Sequence, residues 1–189
     1  VISTSLGYSI QFTDGNDIAY SEMNGNTTMA AIAADLAAKK GILVFASIGN
    51  DGNEPVNKLL STPSDGDSVL AVGAVNTSGV VASFSSYGPS SDGQVKPDVA
   101  AVGVGSVILN TNNSIGTGSG TSFACPKMAG MGTCLWQGFP EFNNMKIRNA
   151  LWQSGSIAGT PNNRIGYGIP NLKTAFGILL TEFATSSNT

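Results

Sequence analysis

The stretch Gly120-Thr121-Ser122-Phe123-Ala124-Cys125-Pro126 sets a serine among small residues, just ahead of a proline and an apolar run that continues to Trp136. Proline is tolerated in the first turn of a helix, where its missing N–H is not needed, so the pattern places Ser122 at or just before a helix N-terminus. There the free backbone N–H groups and the positive end of the helix dipole favour negative charge, including the charge that develops on a carbonyl oxygen during acyl transfer. The chemistry suggested is that of an activated serine. Activation requires a base, and the chain contains no histidine. Lys127 is a poor substitute, because its amine would have to curl back to the serine hydroxyl and lose its proton near neutral pH without any sign of strong burial.

The elements that must position Ser122 follow an α/β pattern. Residues 1–7 read as a strand and residues 8–26 as a long polar loop with a short helical turn. Thr27 or Thr28 then caps a helix whose Met29, Ile32, Ala33, Leu36 and Ala37 keep a three-and-four spacing, the mark of an apolar face packed on a sheet. The unbroken apolar run 42–46 is the pattern of a strand buried on both faces, so the first strand, the helix and this strand form a parallel crossover unit. Further strands are expected at 68–75, 80–85, 96–103 and 106–109. A glycine- and serine-rich segment, 112–120, leads into the serine helix. Two more helices begin near Met145 and Asn171, and residues 181–189 form a polar, frayed tail. The loop Ser47-Ile48-Gly49-Asn50-Asp51-Gly52 leaves the C-terminal end of a buried strand, the edge where open α/β sheets bind ligands. Taken alone, Asn50 is more commonly just a turn residue.

At 189 residues the chain suits one domain, residues 1–180, with a sizeable core. Its net charge of −3 and lack of a basic cluster argue against nucleic acid as a partner. No apolar run approaches the ~20 residues of a membrane span. Cys125 and Cys134 lie on one expected helix, separated by roughly 13 Å of rise, which is beyond the ~7 Å limit of a disulfide. Two free, mostly buried thiols are therefore expected.

Several stretches, in this order, resemble the catalytic domain of the subtilisin-like serine proteases. Gly120-Thr121-Ser122 with Pro126 and Ala129-Gly130 is similar to the family's nucleophile signature. Ser47-Ile48-Gly49-Asn50-Asp51-Gly52 is similar to the segment that carries its oxyanion asparagine, and Ser5-Leu6-Gly7 to the strand against which substrate backbone pairs. Structural stretches at 71–74, 82–89, 96–99 and 167–171 also match. The resemblance implies a three-layer α/β sandwich with a mainly parallel sheet, incomplete at its N-terminal side. It implies that Ser122 is the nucleophile and that Asn50 holds the oxyanion. Ser5, Leu6 and Gly7 on one side, with Ser47, Ile48 and Gly49 on the other, would bound the pocket for the side chain preceding the scissile bond. Leu59, Leu60 and Ser61 would lie near its floor and Asp51 near its rim.

In this family the triad runs Asp, His, Ser along the chain, and the matched region begins after the first two. The chain is therefore expected to be the C-terminal part of an endopeptidase domain, inert alone, whose partner is the N-terminal portion of that domain, on a separate chain or preceding Val1. Without those preceding elements the apolar faces of residues 42–46 and 69–75 are expected to lie open. The substrate is a polypeptide and no cofactor is required. Structural calcium, which relatives often bind, is not indicated by any dense Asp/Glu spacing. Secretion is implied by the resemblance alone. A catalytically inactive peptide-binding or scaffold relative is the alternative. An esterase-like acyl hydrolase is a weaker one, disfavoured by a strand suited to an extended peptide.

Overall fold

The computed structural model describes residues 1–8, 17–55 and 59–186. Four parallel strands, β1 (Ile2–Thr4), β2 (Val44–Ser47), β3 (Leu70–Val75) and β4 (Val99–Val102), lie side by side in chain order, and α1 (Met29–Lys39) makes the crossover from β1 to β2. After β4 come the antiparallel pair β5 (Ser106–Leu109) and β6 (Ile115–Gly118), then α2 (Thr121–Gln137), α3 (Asn144–Gln153) and α4 (Leu172–Ser186).

The period of two along each strand divides the apolar side chains between two faces. Leu43, Phe45, Leu70, Val72, Ala74 and Val99 join Ala124, Met128 and Leu135 of α2, Ile147 and Leu151 of α3, and Leu179 of α4 in one core. Val44, Ala46 and Val69 face the other way, onto Ala38 of α1. The result is the expected three-layer arrangement, with α1 on one side of a parallel sheet and α2–α4 on the other.

β2 and β3 are buried at every residue. The expectation that segments 42–46 and 69–75 lie open is therefore wrong: each of these strands has a neighbour on both edges, β2 lies between α1 and α2, and β3 lies under α2 with Pro97 and Ser85 against its other face at Gly73. What lies open is the flank beyond them. β1 is one of the sheet's two edge strands, with Val1 and Ile2 exposed, whereas the other, β4, is buried over Val99–Ala101.

The face of α1 also differs from expectation. Thr28 caps the helix, its hydroxyl accepting from the Ala31 N–H, but the buried stripe is Ala31, Asp35 and Ala38. Met29, Ile32 and Leu36 point outward, 87%, 47% and 54% exposed. Asp35 accounts for the rotation. Its carboxylate accepts hydrogen bonds from the N–H groups of Asp67 and Ser68, at 3.0 and 2.7 Å, so it must face inward, and the small alanines beside it allow close approach to the sheet.

Other differences are local. Segment 80–85 forms only a single bridge, Val75 to Val81, instead of a strand. Segment 112–120, expected as a loop, contains β6. The last helix continues to Ser186, taking in much of the expected tail, while residues 187–189 and part of the expected loop at 8–26 lie outside the described residues. Cys125 is buried, but Cys134 is exposed.

Lys96, only 1% exposed, anchors the loop between β2 and β3. Its Nζ donates to the carbonyls of Gly66 (2.8 Å) and Val69 (3.4 Å) and pairs with Asp98 Oδ2 at 3.0 Å. That same carboxylate oxygen accepts the Ala71 N–H, and Arg148 donates to the carbonyl of Asp67 at 2.8 Å from across the sheet. The charge is thus fully hydrogen-bonded, the condition under which a buried cation is tolerated.

Candidate active site

α2 opens at Thr121, after Gly120 in an extended conformation, so Ser122 is the second residue of the helix. Pro126 lies inside the helix and outside its first turn, which corrects the sequence expectation. Its position has a consequence one turn back. A proline lacks the N–H that would bond the carbonyl four residues earlier, so the Ser122 carbonyl has no helical donor. The Ser5 hydroxyl supplies one at 3.1 Å, and the Ser122 hydroxyl donates in turn to the Ser5 carbonyl at 3.4 Å. Cys125, one turn on, adds its thiol to the Thr4 carbonyl at 3.5 Å and to the Ser3 hydroxyl at 3.6 Å. Burial pushes this thiol up to about 11, so it stays protonated. The start of the serine helix is stitched to the end of β1.

Asn50 follows β2. Its carboxamide oxygen accepts from both the backbone N–H (2.8 Å) and the hydroxyl (3.0 Å) of Thr121. With the oxygen so engaged, the amide turns its two N–H donors away from Thr121. The Thr121 hydroxyl also lies 3.2 Å from the Gly49 carbonyl, tying the loop after β2 to the helix start. The Ser122 N–H is among the first helical N–H groups, which lack an intrahelical acceptor.

Three pieces of chain enclose a cavity of about 180 Å³ in front of Ser122. Ser5 and Gly7 line it from one side, Ser47, Gly49, Asn50 and Asp51 from another, and Ser61 closes it. Of the residues expected to bound the pocket, Leu6 is exposed and does not line it, and the Ile48 side chain is buried in the interior. Leu60 is also buried away from it. The floor segment is held to both walls: the Ser61 N–H donates to the Ile48 carbonyl at 3.2 Å, and Tyr8 and Thr62 exchange backbone hydrogen bonds. Asp51 stands at the rim with its N–H on the Ser86 hydroxyl. Its carboxyl is raised above the usual carboxylate range by burial, and secondarily by the neighbouring negative charge of Glu54. The Lys127 amine is committed to the Val102 carbonyl (2.9 Å) and the Ser106 hydroxyl (2.7 Å). Thr121 and Ser86 carry contacts that sequence reasoning missed, since neither residue type signals anything outside its motif.

Among the described residues no group of three or more His, Cys, Asp or Glu side chains is arranged to hold a metal ion, and no helix is long and apolar enough to cross a membrane.

A parallel α/β sheet with a serine-bearing helix start and an asparagine facing one cleft defines a hydrolase-like architecture. The chain belongs to the subtilase family, whose family model matches residues 1–168. It is 30% identical over 162 residues to the thermostable alkaline protease of Halalkalibacterium halodurans, covering 84% of this chain and 42% of that protein. It is likewise 30% identical over 164 residues to subtilisin DY of Bacillus licheniformis, covering 86% and 57% respectively. Among solved structures it resembles the self-cleaved protease domain of PatA, with a TM-score of 0.70, 25% identity, and coverage of 95% of this chain and 62% of that one. The chain thus spans about half the length of the curated relatives it matches.

Proposed function

We propose that this chain contributes the nucleophile, the oxyanion hole and one wall of the substrate cleft of a serine endopeptidase. Ser122 Oγ attacks the scissile carbonyl carbon and its proton passes to a histidine. The negative oxygen is held by the Asn50 amide and the Ser122 N–H. The C–N bond then breaks, the leaving amine takes the proton from the histidine, and water releases the acyl group from Ser122. The histidine and its aspartate partner come from the N-terminal portion of the domain, outside this chain, which adds to the outer edge of β1. The reaction draws on side chains and backbone alone. By resemblance to its relatives the protein works outside the cytoplasm.

The observation that carries this reading is the Asn50–Thr121 contact. It fixes the amide's orientation immediately before the serine and leaves its donors for the cleft. Exposed Val1, Ile2, Met29, Ile32 and Leu36 support a docking flank for the remainder of the domain.

A serine-directed fluorophosphonate tests it. In the assembled protein the probe labels Ser122, and Ser122→Ala abolishes labelling. An intact assembly that takes no label would instead support the non-catalytic relative. Asn50→Ala should lower kcat by about 10²–10³, a magnitude known from the oxyanion donor of a subtilisin itself and carried over to this chain.

A further inference from the structure

The floor of the cleft points to the substrate. Ser61 sits between two glycines that form the opposing walls. A Cβ added to Gly7 would lie 2.3 Å from Ser61 Oγ, and one added to Gly49 would lie 3.4 Å from the same atom. Gly49 also adopts φ +116°, a conformation that L side chains rarely take. Gly7 is thus bare backbone pressed against the Ser61 side chain, while Gly49, where an added Cβ would meet Ser86 Oγ first at 2.9 Å, passes Ser61 at ordinary contact distance, and the Ser61 hydroxyl lies at the bottom of the cavity between them. Among the described residues that hydroxyl is lightly used, with one contact of 3.5 Å to the Ile48 carbonyl. Ser5, Ser47, Ser122 and Asp51 line the same cavity, and among the described residues no apolar side chain does.

We infer that the residue preceding the scissile bond carries a small hydrogen-bonding side chain, of the Ser, Thr or Asn type, and that Ser61 is the specificity-determining residue that selects it. A small polar guest gives the Ser61 hydroxyl a partner. A large apolar one leaves it desolvated and unpaired, and a site of that kind discriminates by hydrogen-bonding complementarity more sharply than an apolar pocket discriminates by size. The hydroxyl also occupies the volume that a Phe or Leu side chain would need to descend between the glycines.

This rests on the endopeptidase reading, and the two can fail separately. Peptide coumarylamides identical except for Ser, Thr, Asn, Leu or Phe before the cleaved bond are compared by kcat/KM on the assembled protein, alongside fluorophosphonate labelling. Ser, Thr and Asn are expected to exceed Leu and Phe by at least tenfold. Ser61→Gly, which opens the floor, is expected to reduce that ratio at least tenfold, mainly by gain on Phe and Leu. Ser61→Ala keeps the backbone restriction and should lose on Ser and Thr while gaining less on Phe. A protein that labels at Ser122 yet prefers Leu or Phe, or whose ratio is unmoved by Ser61→Gly, overturns this inference and leaves the endopeptidase reading standing. Absence of labelling overturns both.

Discussion

The two sides of the sheet's midline are built differently. From β2 to β4 the strands are buried: β2 and β3 have a strand on each side, the outer edge of β4 exchanges backbone hydrogen bonds with residues 167–168, and even the charges at the strand ends are buried in hydrogen bonds. From β1 to α1 the molecule shows an edge strand and a helix whose largest apolar side chains point outward. Yet the site lies where these two regions meet: Ser5 and Gly7 come from the open flank, while Ser122, Asn50 and Ser61 come from the closed body. On the function proposed above, a body that carries Ser122 and Asn50, joined to a flank completed by other residues, would make chemistry conditional on assembly.

Lys96→Met breaks the closed side most directly. It leaves two buried carbonyls without a donor and the Asp98 carboxylate with only Arg148, 3.6 Å away, as a cation, and should cost about 3 kcal/mol in denaturant unfolding of the assembled protein. A cost below about 1 kcal/mol would show that the loop under the site is held by other contacts. Leu135→Ala, which empties part of the main core, should cost about 2–5 kcal/mol. Leu36→Ser on the outward face of α1 should change the chain's own stability by no more than about 0.5 kcal/mol while weakening its association with the rest of the domain at least tenfold. Equal effects of the two substitutions on stability would erase the distinction between body and flank.

Where the two regions are stitched together, pH should report on the junction. The ordinary thiol value is 9.0 and burial raises that of Cys125 to about 11. Its contribution is fully present below pH 9 and is lost as pH rises through 11, because the unfolded chain gives up the proton first. The loss should reach about 3 kcal/mol, and Cys125→Ala should flatten that part of the stability profile. The smallest effect is kinetic. A thiol reagent at neutral pH should modify the exposed Cys134 quickly and Cys125 only on unfolding.

Much of the closed body was legible in the sequence because strands buried on both faces leave unbroken apolar runs, as residues 42–46 and 68–75 do. The rotation of α1 was not, because it depends on the Asp35 carboxylate meeting backbone N–H groups more than thirty residues away. A spacing rule applied to Met29, Ile32 and Leu36 sees only that one face is apolar, and a face awaiting a partner looks the same as a face against the core. β6 was hidden by its composition, since Ile-Gly-Thr-Gly has little strand preference of its own and depends on pairing with β5. At the site, Ser122 and Asn50 could be named only through their motifs. What joins them, Thr121, is a tertiary contact across 71 positions of chain that no local pattern encodes.

Lys96 has a further consequence. Its ammonium sits where two carbonyls and a carboxylate converge, a set of oxygens of the kind that gathers round a hard cation. Because this cation is covalently part of the chain, neither dilution nor a chelator can remove it. The Gly66–Val69 end of the loop that carries Ser61 is therefore held by a cation that arrives with the chain itself during folding.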